Sequence, residues 1–114
     1  MAHPSPGDRV MVFKHGWLSL ILAGKKKLEI RAVGYRAGRY FLGCKGVIHG
    51  VAQFGNPVRI ESDSEWNGLR HEHLVDTAGR PYEKTYGLPI LTATRLPPLR
   101  YQHPRGAIGI VVYR

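Results

Sequence analysis

A short apolar helix that must stop and pass its chain directly into a strand constrains this fold more than any other stretch. Trp17-Leu18-Ser19-Leu20-Ile21-Leu22-Ala23 is the helix-like apolar segment of the first half, and Gly24-Lys25-Lys26-Lys27-Leu28-Glu29-Ile30-Arg31 follows it. Gly24 suits the left-handed position just past a helix end, and the three lysines complement the negative end of the helix dipole. Strand alternation turns Leu28 and Ile30 to one face and Lys27, Glu29 and Arg31 to the other. Glu29 and Arg31 then stand side by side, with Lys26 in the turn above them. An acid among that many cations is either an ion-pair network bracing a turn or a binding site for something polar and anionic.

The chain has 114 residues, enough for one domain that buries roughly two thirds of its unfolded surface. Its 17 Lys and Arg against 8 Asp and Glu give a formal charge of +9. That balance favours nucleic acid or another phosphate-bearing partner, the alternative being a basic surface that only keeps the protein in solution. The single cysteine, Cys44, excludes an internal disulfide and a cysteine-based zinc site. It reads as a small buried residue, with no partner base to make it a nucleophile. Residues 1–7 lack the apolar core of a signal peptide, and the run from Trp17 to Ala23 is too short to span a bilayer. A cytoplasmic protein with no membrane partner is expected.

Taken in order, residues 1–9 read as a flexible N-terminal arm and 10–114 as one folded domain. Val10–Phe13 is a strand, and Trp17, Leu20 and Ile21 form the buried stripe of the helix, flanked by Leu18 and Leu22. Tyr40–Cys44 and Val47–Phe54 are joined at Lys45-Gly46 as a hairpin, with Gly50 marking a bulge or bend. Val58–Ile60 extends the sheet. Ser62 or Asp63 caps a second short helix that carries Trp66 and Leu69 and runs to about His71. Leu88–Thr94 is a strand, placed at an edge by Pro89, and Pro97-Pro98 and Pro104-Arg105-Gly106 bracket Tyr101. Ala107–Tyr113 closes the domain. The sum is an α+β fold: a small β-barrel of about five or six strands with two short helices.

Several residues carry candidate chemistry. A lysine becomes a base or nucleophile only when its pKa falls, through burial or nearby positive charge. Lys25, Lys27 and Arg31 push Lys26 that way, Glu29 pushes it back, and burial decides. A charged Lys26 would instead anchor a phosphate or carbonyl. His71-Glu72-His73 has the look of a metal motif without a third ligand, so no metal and no cofactor is expected. Trp17 is either core or the floor of a stacking pocket. His103, ahead of Pro104-Arg105, either lines a cleft or stiffens a loop. Tyr82, Tyr86 and Tyr101 are placed to stack bases among Arg and Lys, or else plug the barrel.

Gly24, Lys26, Glu29 and Arg31 fit the spacing G-x-K-x-x-E-x-R, which resembles the signature of ASCH domains, a branch of the PUA-like superfamily. The helix before it, Tyr82-Glu83-Lys84-Thr85-Tyr86-Gly87 and His103-Pro104-Arg105-Gly106-Ala107-Ile108 extend the resemblance over about Val10 to Val112. It implies a PUA-like barrel with a motif-lined cleft that handles RNA, DNA or modified nucleosides. Some small bacterial members are amidohydrolases on N4-acetylcytidine, others resemble ribonucleases, and others bind nucleic acid. On this resemblance Lys26 is the catalytic lysine, Glu29 stands where those enzymes have a threonine, and Glu65 or Glu72 supplies a second carboxylate. The leading expectation is binding of single-stranded nucleic acid or a modified nucleoside. Lys25, Lys26, Lys27, Arg31, Arg36, Arg39, His103 and Arg105 would hold it, and Tyr86 or Tyr101 would stack on it. The alternative is hydrolysis by Lys26 with Glu29 or Glu72, and a third reading makes the basic face a protein-docking surface. A monomer or weak dimer is expected.

Overall fold

The computed structural model describes residues 2–114; Met1, the first residue of the expected arm, lies outside them. In chain order the elements are β1 (Arg9–Val12), α1 (His15–Leu22), β2 (Leu28–Arg31), β3 (Gly38–Cys44), β4 (Val47–Phe54) and β5 (Val58–Ile60). α2 (Asp63–Gly68), α3 (Arg70–His73), β6 (Thr85–Arg100) and β7 (Ile110–Val112) complete the fold. The strands form one curled sheet, β2-β6-β4-β3-β1-β7, with β5 added alongside β6. The expected small barrel is built as a half-barrel, with seven strands and three short helices in place of the expected five or six strands and two helices. β1 and β3 run parallel, because α1 and β2 intervene between them, and the other pairs are antiparallel. The chain ahead of β1 is tied to its end: Gly7 N–H donates to the Tyr113 carbonyl at 2.9 Å and Tyr113 N–H to that of Asp8 at 2.7 Å.

Local chemistry explains most of the elements. Lys45 and Gly46 take left-handed conformations, φ 51° and 76°, as a tight hairpin turn between β3 and β4 requires. The Ser62 side chain accepts from Glu65 N–H at 3.0 Å and caps α2. The predicted second helix is divided: Gly68 ends α2, Leu69 leaves helical geometry at φ −98°, ψ 6°, and α3 makes one further turn. The register of β4 breaks between Ile48 and Gly50, as the glycine predicts. A Cβ on Gly50 would sit 2.6 Å from the Leu22 side chain, so this glycine also lets α1 approach the sheet.

β6 departs from expectation. It runs 16 residues, through Pro89, Pro97 and Pro98, and pairs with β2, β4 and β5, so it is the centre of the sheet and not an edge. The prolines sit beside irregularities that make their missing N–H harmless. The pairing shifts between Gln53↔Thr92 and Phe54↔Ile90, next to Pro89. From Gly50↔Arg95 to Ile48↔Leu99, β6 advances further than β4, and Pro97 and Pro98 take up the slack.

α1 plugs the concave side of the sheet. Its buried residues are Leu18 and Ile21, packed with Met11, Phe13, Tyr40, Leu42, Phe54 and Leu88. The stripe is thus turned about the axis from the expected Trp17, Leu20 and Ile21, which leaves Trp17 half-buried at the side. Leu28 and Ile30 face the other way, onto Ile60 and the fully buried Trp66. Cys44 is buried in the main core, as its isolation in the sequence suggests.

Candidate functional site

The end of α1 sets the geometry. Gly24 is left-handed at φ 74°, its N–H bonds to the Ile21 carbonyl at 3.0 Å, and Lys25 N–H bonds to that of Leu20 at 3.0 Å. This is the Schellman closure that the glycine predicts. Lys26 N–H shares the Leu20 carbonyl at 3.1 Å, so the chain folds back under the helix. Lys27 N–H then bonds to the Glu72 carbonyl at 2.9 Å, and Ile90 N–H to that of Lys27 at 2.9 Å, which fixes the start of β2. Lys26 is consequently carried inward, while Lys25 and Lys27 remain exposed.

Lys26 is 2 % exposed, and its Nζ donates to the His73 carbonyl. It lies 3.8 Å from Glu29 Oε1 and 4.6 Å from the centre of the Trp17 ring. Glu29 is itself buried, and its Oε2 accepts from Arg31 Nε at 2.6 Å. Arg31 Nη2 donates to the Val12 carbonyl at 2.7 Å, with the guanidinium 4.8 Å from the centre of the Phe13 ring. Among the described residues no fully enclosed side-chain oxygen or nitrogen lacks a partner. Glu29 Oε1 accepts no hydrogen bond, so it keeps access to the space beside it.

That space is a cleft of about 560 Å³ with Lys26, Glu29 and Arg31 in its lining. Phe13, Trp17, Tyr35 and Tyr82 give it aromatic walls, joined by Val12, Val33, Val75, Pro81 and Ile108, with Lys14 as a further cation. Val33, Tyr82 and Ile108 are 52, 45 and 90 % exposed and form an apolar rim.

Burial settles the contest over Lys26. Removal from water lowers its pKa from the ordinary 10.5, Glu29 raises it in part, and Arg31 lowers it again. The folded protein therefore releases this proton at a pH where the unfolded chain still holds it, so stability rises with pH from the lowered pKa up to about 10.5. Lys26→Met keeps the bulk and lacks this titration. Measured by urea unfolding, the stability of Lys26→Met relative to wild type should fall as pH rises from 7 toward 10. The change is about 1.4 kcal/mol for each unit by which burial lowers the pKa. A difference independent of pH contradicts a lowered Lys26 pKa.

No protein-family model and no curated protein matches this sequence. Solved structures do match. The crystal structure of a serine-to-alanine mutant of an ASCH protein from Zymomonas mobilis superposes with a TM-score of 0.75 at 16 % identity, over 98 % of this chain and 92 % of that one. The unmodified Zymomonas mobilis ASCH structure gives 0.74 at 15 % identity, over 95 % and 88 % of the two chains. The chain has the ASCH fold. A tyrosine-to-phenylalanine mutant of the same protein agrees, with a TM-score of 0.73 at 15 % identity over 95 % and 91 %.

Within this ASCH fold the expected site residues separate into two groups. Lys26, Glu29 and Arg31 meet in the cleft. Lys27 borders instead a smaller hollow of about 220 Å³ between the end of α1 and β6, and Lys25 lines neither. Arg36 is exposed away from the cleft, and Arg39 pairs with Asp8 at 3.4 Å. Tyr86 packs on Gly34, where a Cβ would lie 3.0 Å from the ring. Tyr101 presses on Gly43, and its hydroxyl meets His103 Nδ1 at 2.8 Å. Burial raises the pKa of that hydroxyl. His103 Nε2 in turn donates to the Ala107 carbonyl at 2.9 Å, so the ring stiffens its loop and does not line the cleft. Arg105 is exposed in the same turn. The Glu72 carboxylate lies 3.6 Å from His71 on the surface, and neither Glu72 nor Glu65 lines the cleft.

The cleft also holds residues that the sequence does not single out. Phe13, Lys14, Tyr35, Val75 and Ile108 come from four separate connections, and only Ile108 lies in a stretch that carries the resemblance. Trp17 carries both of the roles the sequence leaves open, packing on the main core and walling the cleft.

Proposed function

We propose that the cleft binds a nucleobase, presented by a modified nucleoside or by single-stranded nucleic acid, between its aromatic walls and the Lys26–Glu29 pair. The observation that carries this reading is a buried donor and a reachable carboxylate acceptor 3.8 Å apart at the base of an aromatic cleft. A cytosine-type edge presents the complement, an exocyclic N–H for Glu29 and a ring or carbonyl acceptor for Lys26. Trp17, Tyr35 and Tyr82 offer faces for stacking, each such contact worth about 1–3 kcal/mol. The formal charge of +9 gives long-range attraction to a polyanion, with Lys25, Arg36, Arg39 and Arg105 on the outer surface as its phosphate contacts.

The second reading is hydrolysis of an N4-acylated cytidine-type nucleoside, and the lowered pKa of Lys26 favours it. A Lys26 amine takes a proton from water as the water adds to the acyl carbon. The C–N4 bond then breaks, N4 takes a proton relayed by Glu29, and cytidine and the carboxylate leave. Wild type and Lys26→Ala, incubated with N4-acetylcytidine and with single-stranded RNA and read by chromatography, separate the readings. Turnover of either substrate that is lost in Lys26→Ala establishes catalysis. No turnover, with RNA binding that weakens by a log–log salt slope of roughly −0.7 per phosphate contacted, establishes a binding module. Neither turnover nor binding overturns both.

A further inference from the structure

The histidine that ends α3 is enclosed, and its own carbonyl holds Lys26. His73 is 0 % exposed, and its ring stacks on Trp66 with centroids 3.8 Å apart. Val75 N–H donates to His73 Nδ1 at 2.9 Å, so Nδ1 carries no proton and the ring is the Nε2–H tautomer. Nε2–H donates in turn to the Trp66 carbonyl at 2.9 Å. Leu74, between the ring and its donor, is left-handed at φ 60°, a conformation that a leucine holds only when its surroundings enforce it. The ring therefore fixes the turn at both ends: the His73 carbonyl meets Lys26 Nζ on one side, and Val75 lines the cleft on the other.

We propose that His73 is a positioning residue for Lys26, its neutral ring locking the α3 turn so that the backbone carbonyl holds Lys26 Nζ at the base of the cleft. The proposal concerns the unliganded protein and does not depend on what the cleft binds. Protonation is incompatible with the arrangement, because an Nδ1–H would confront the Val75 N–H with a second donor. The charged groups around the ring reinforce this. Lys26 approaches from the turn before β2, with Glu29 beyond it on that strand, and Arg70 and His71 precede the ring on α3 with Glu72 turned outward to His71. Burial, the largest influence, lowers the ring's pKa below its ordinary 6.5; the hydrogen bond to the Trp66 carbonyl opposes it, and Lys26, Arg70 and His71 lower it further. A depressed imidazole pKa contributes stability that is complete above pH 6.5 and is lost as pH falls through the lowered value.

The test is an NMR titration of the free protein that follows the His73 ring, the Val75 amide and the Lys26 ε-methylene. Above the His73 titration the ring should show the Nε2–H tautomer and the Val75 amide should be protected from exchange. Below it, Val75 protection should be lost and the Lys26 resonance should move to the position of an exposed lysine, while amides of β3 and β4 keep their protection. His73→Asn, whose side-chain oxygen can accept from Val75 N–H, should retain the Lys26 resonance, and His73→Leu should lose it. Should His73→Leu fail to fold, the wild-type titration decides alone. An Nδ1–H tautomer, a Val75 amide still protected below the ring's titration, or an unmoved Lys26 resonance would overturn the proposal.

Discussion

Arg31→Met should destabilise the protein by about 3 kcal/mol, far more than a surface ion pair is worth. Glu29 is 5 % exposed and Arg31 supplies its short hydrogen bond at 2.6 Å, so removing the guanidinium leaves a largely buried carboxylate whose nearest remaining cation is Lys26 at 3.8 Å. The Val12 carbonyl loses its donor as well. For a chain of this size, 3 kcal/mol lowers the melting temperature by on the order of 10 °C or more. The decisive comparison is the double variant. If the cost is an unpaired buried charge, Glu29→Gln added to Arg31→Met should recover about half of it, because a neutral amide tolerates the loss of its partner. Urea unfolding of the single and double variants measures this coupling. A single-variant cost under about 1 kcal/mol, or additivity in the double variant, would mean that the pair is solvent-screened and that the base of the cleft is not a low-dielectric site.

Trp66→Ala should cost about 3–5 kcal/mol, the largest effect of any single truncation here. Trp66 is fully buried, faces Leu28 and Ile30 on the back of β2, stacks on His73, and donates from Nε1 to the Thr77 carbonyl at 3.1 Å. One side chain thus supports the strand that carries Glu29 and Arg31, the turn that holds Lys26, and the loop that brings Val75 and Pro81 to the cleft. Trp66→Phe keeps a ring on His73 and loses the Nε1 bond, so about 1–2 kcal/mol of the cost should remain. Thermal and urea unfolding of the two variants give the comparison. An Ala variant within 1 kcal/mol of wild type would show that the cluster under β2 contributes little to holding the site.

Local signals in the sequence were sufficient where the structure is local. Gly24 as a helix stop, Lys45-Gly46 as a tight turn, Ser62 as a cap and the two faces of β2 each depend on a few neighbouring residues, and each appears as read. Pro89 argues for an edge strand, yet a proline excludes itself only from a regular ladder. Bulges opposite Phe54 and Gly50 let β6 continue through its prolines. The candidate site divides along the same line. Lys26, Glu29 and Arg31 lie within one turn and one strand, so their spacing alone brought them together. Which distant side chains join them depends on how the sheet curls, and no run of residues encodes that. Tyr86, Tyr101 and His103 resemble ligand contacts in composition, yet each is occupied by Gly34, Gly43 or Ala107. Phe13 and Tyr35 carry no mark and stand in the cleft. Burial of Lys26, which lowers its pKa, depends likewise on the Schellman turn that folds the chain back under α1.

An amide and side-chain NMR map of the protein, titrated with N4-acetylcytidine and with a short single-stranded RNA, reads out directly whether the cleft takes a base. Both ligands should perturb the Trp17 indole, Tyr35, Val75 and Ile108, and Lys26→Ala should remove these shifts while leaving the fold intact. Shifts confined to Arg36, Arg39 and Arg105, unaffected by Lys26→Ala and erased by salt, would contradict the proposed function: the cleft would then hold no base, and the protein would meet its partner through its outer charge alone.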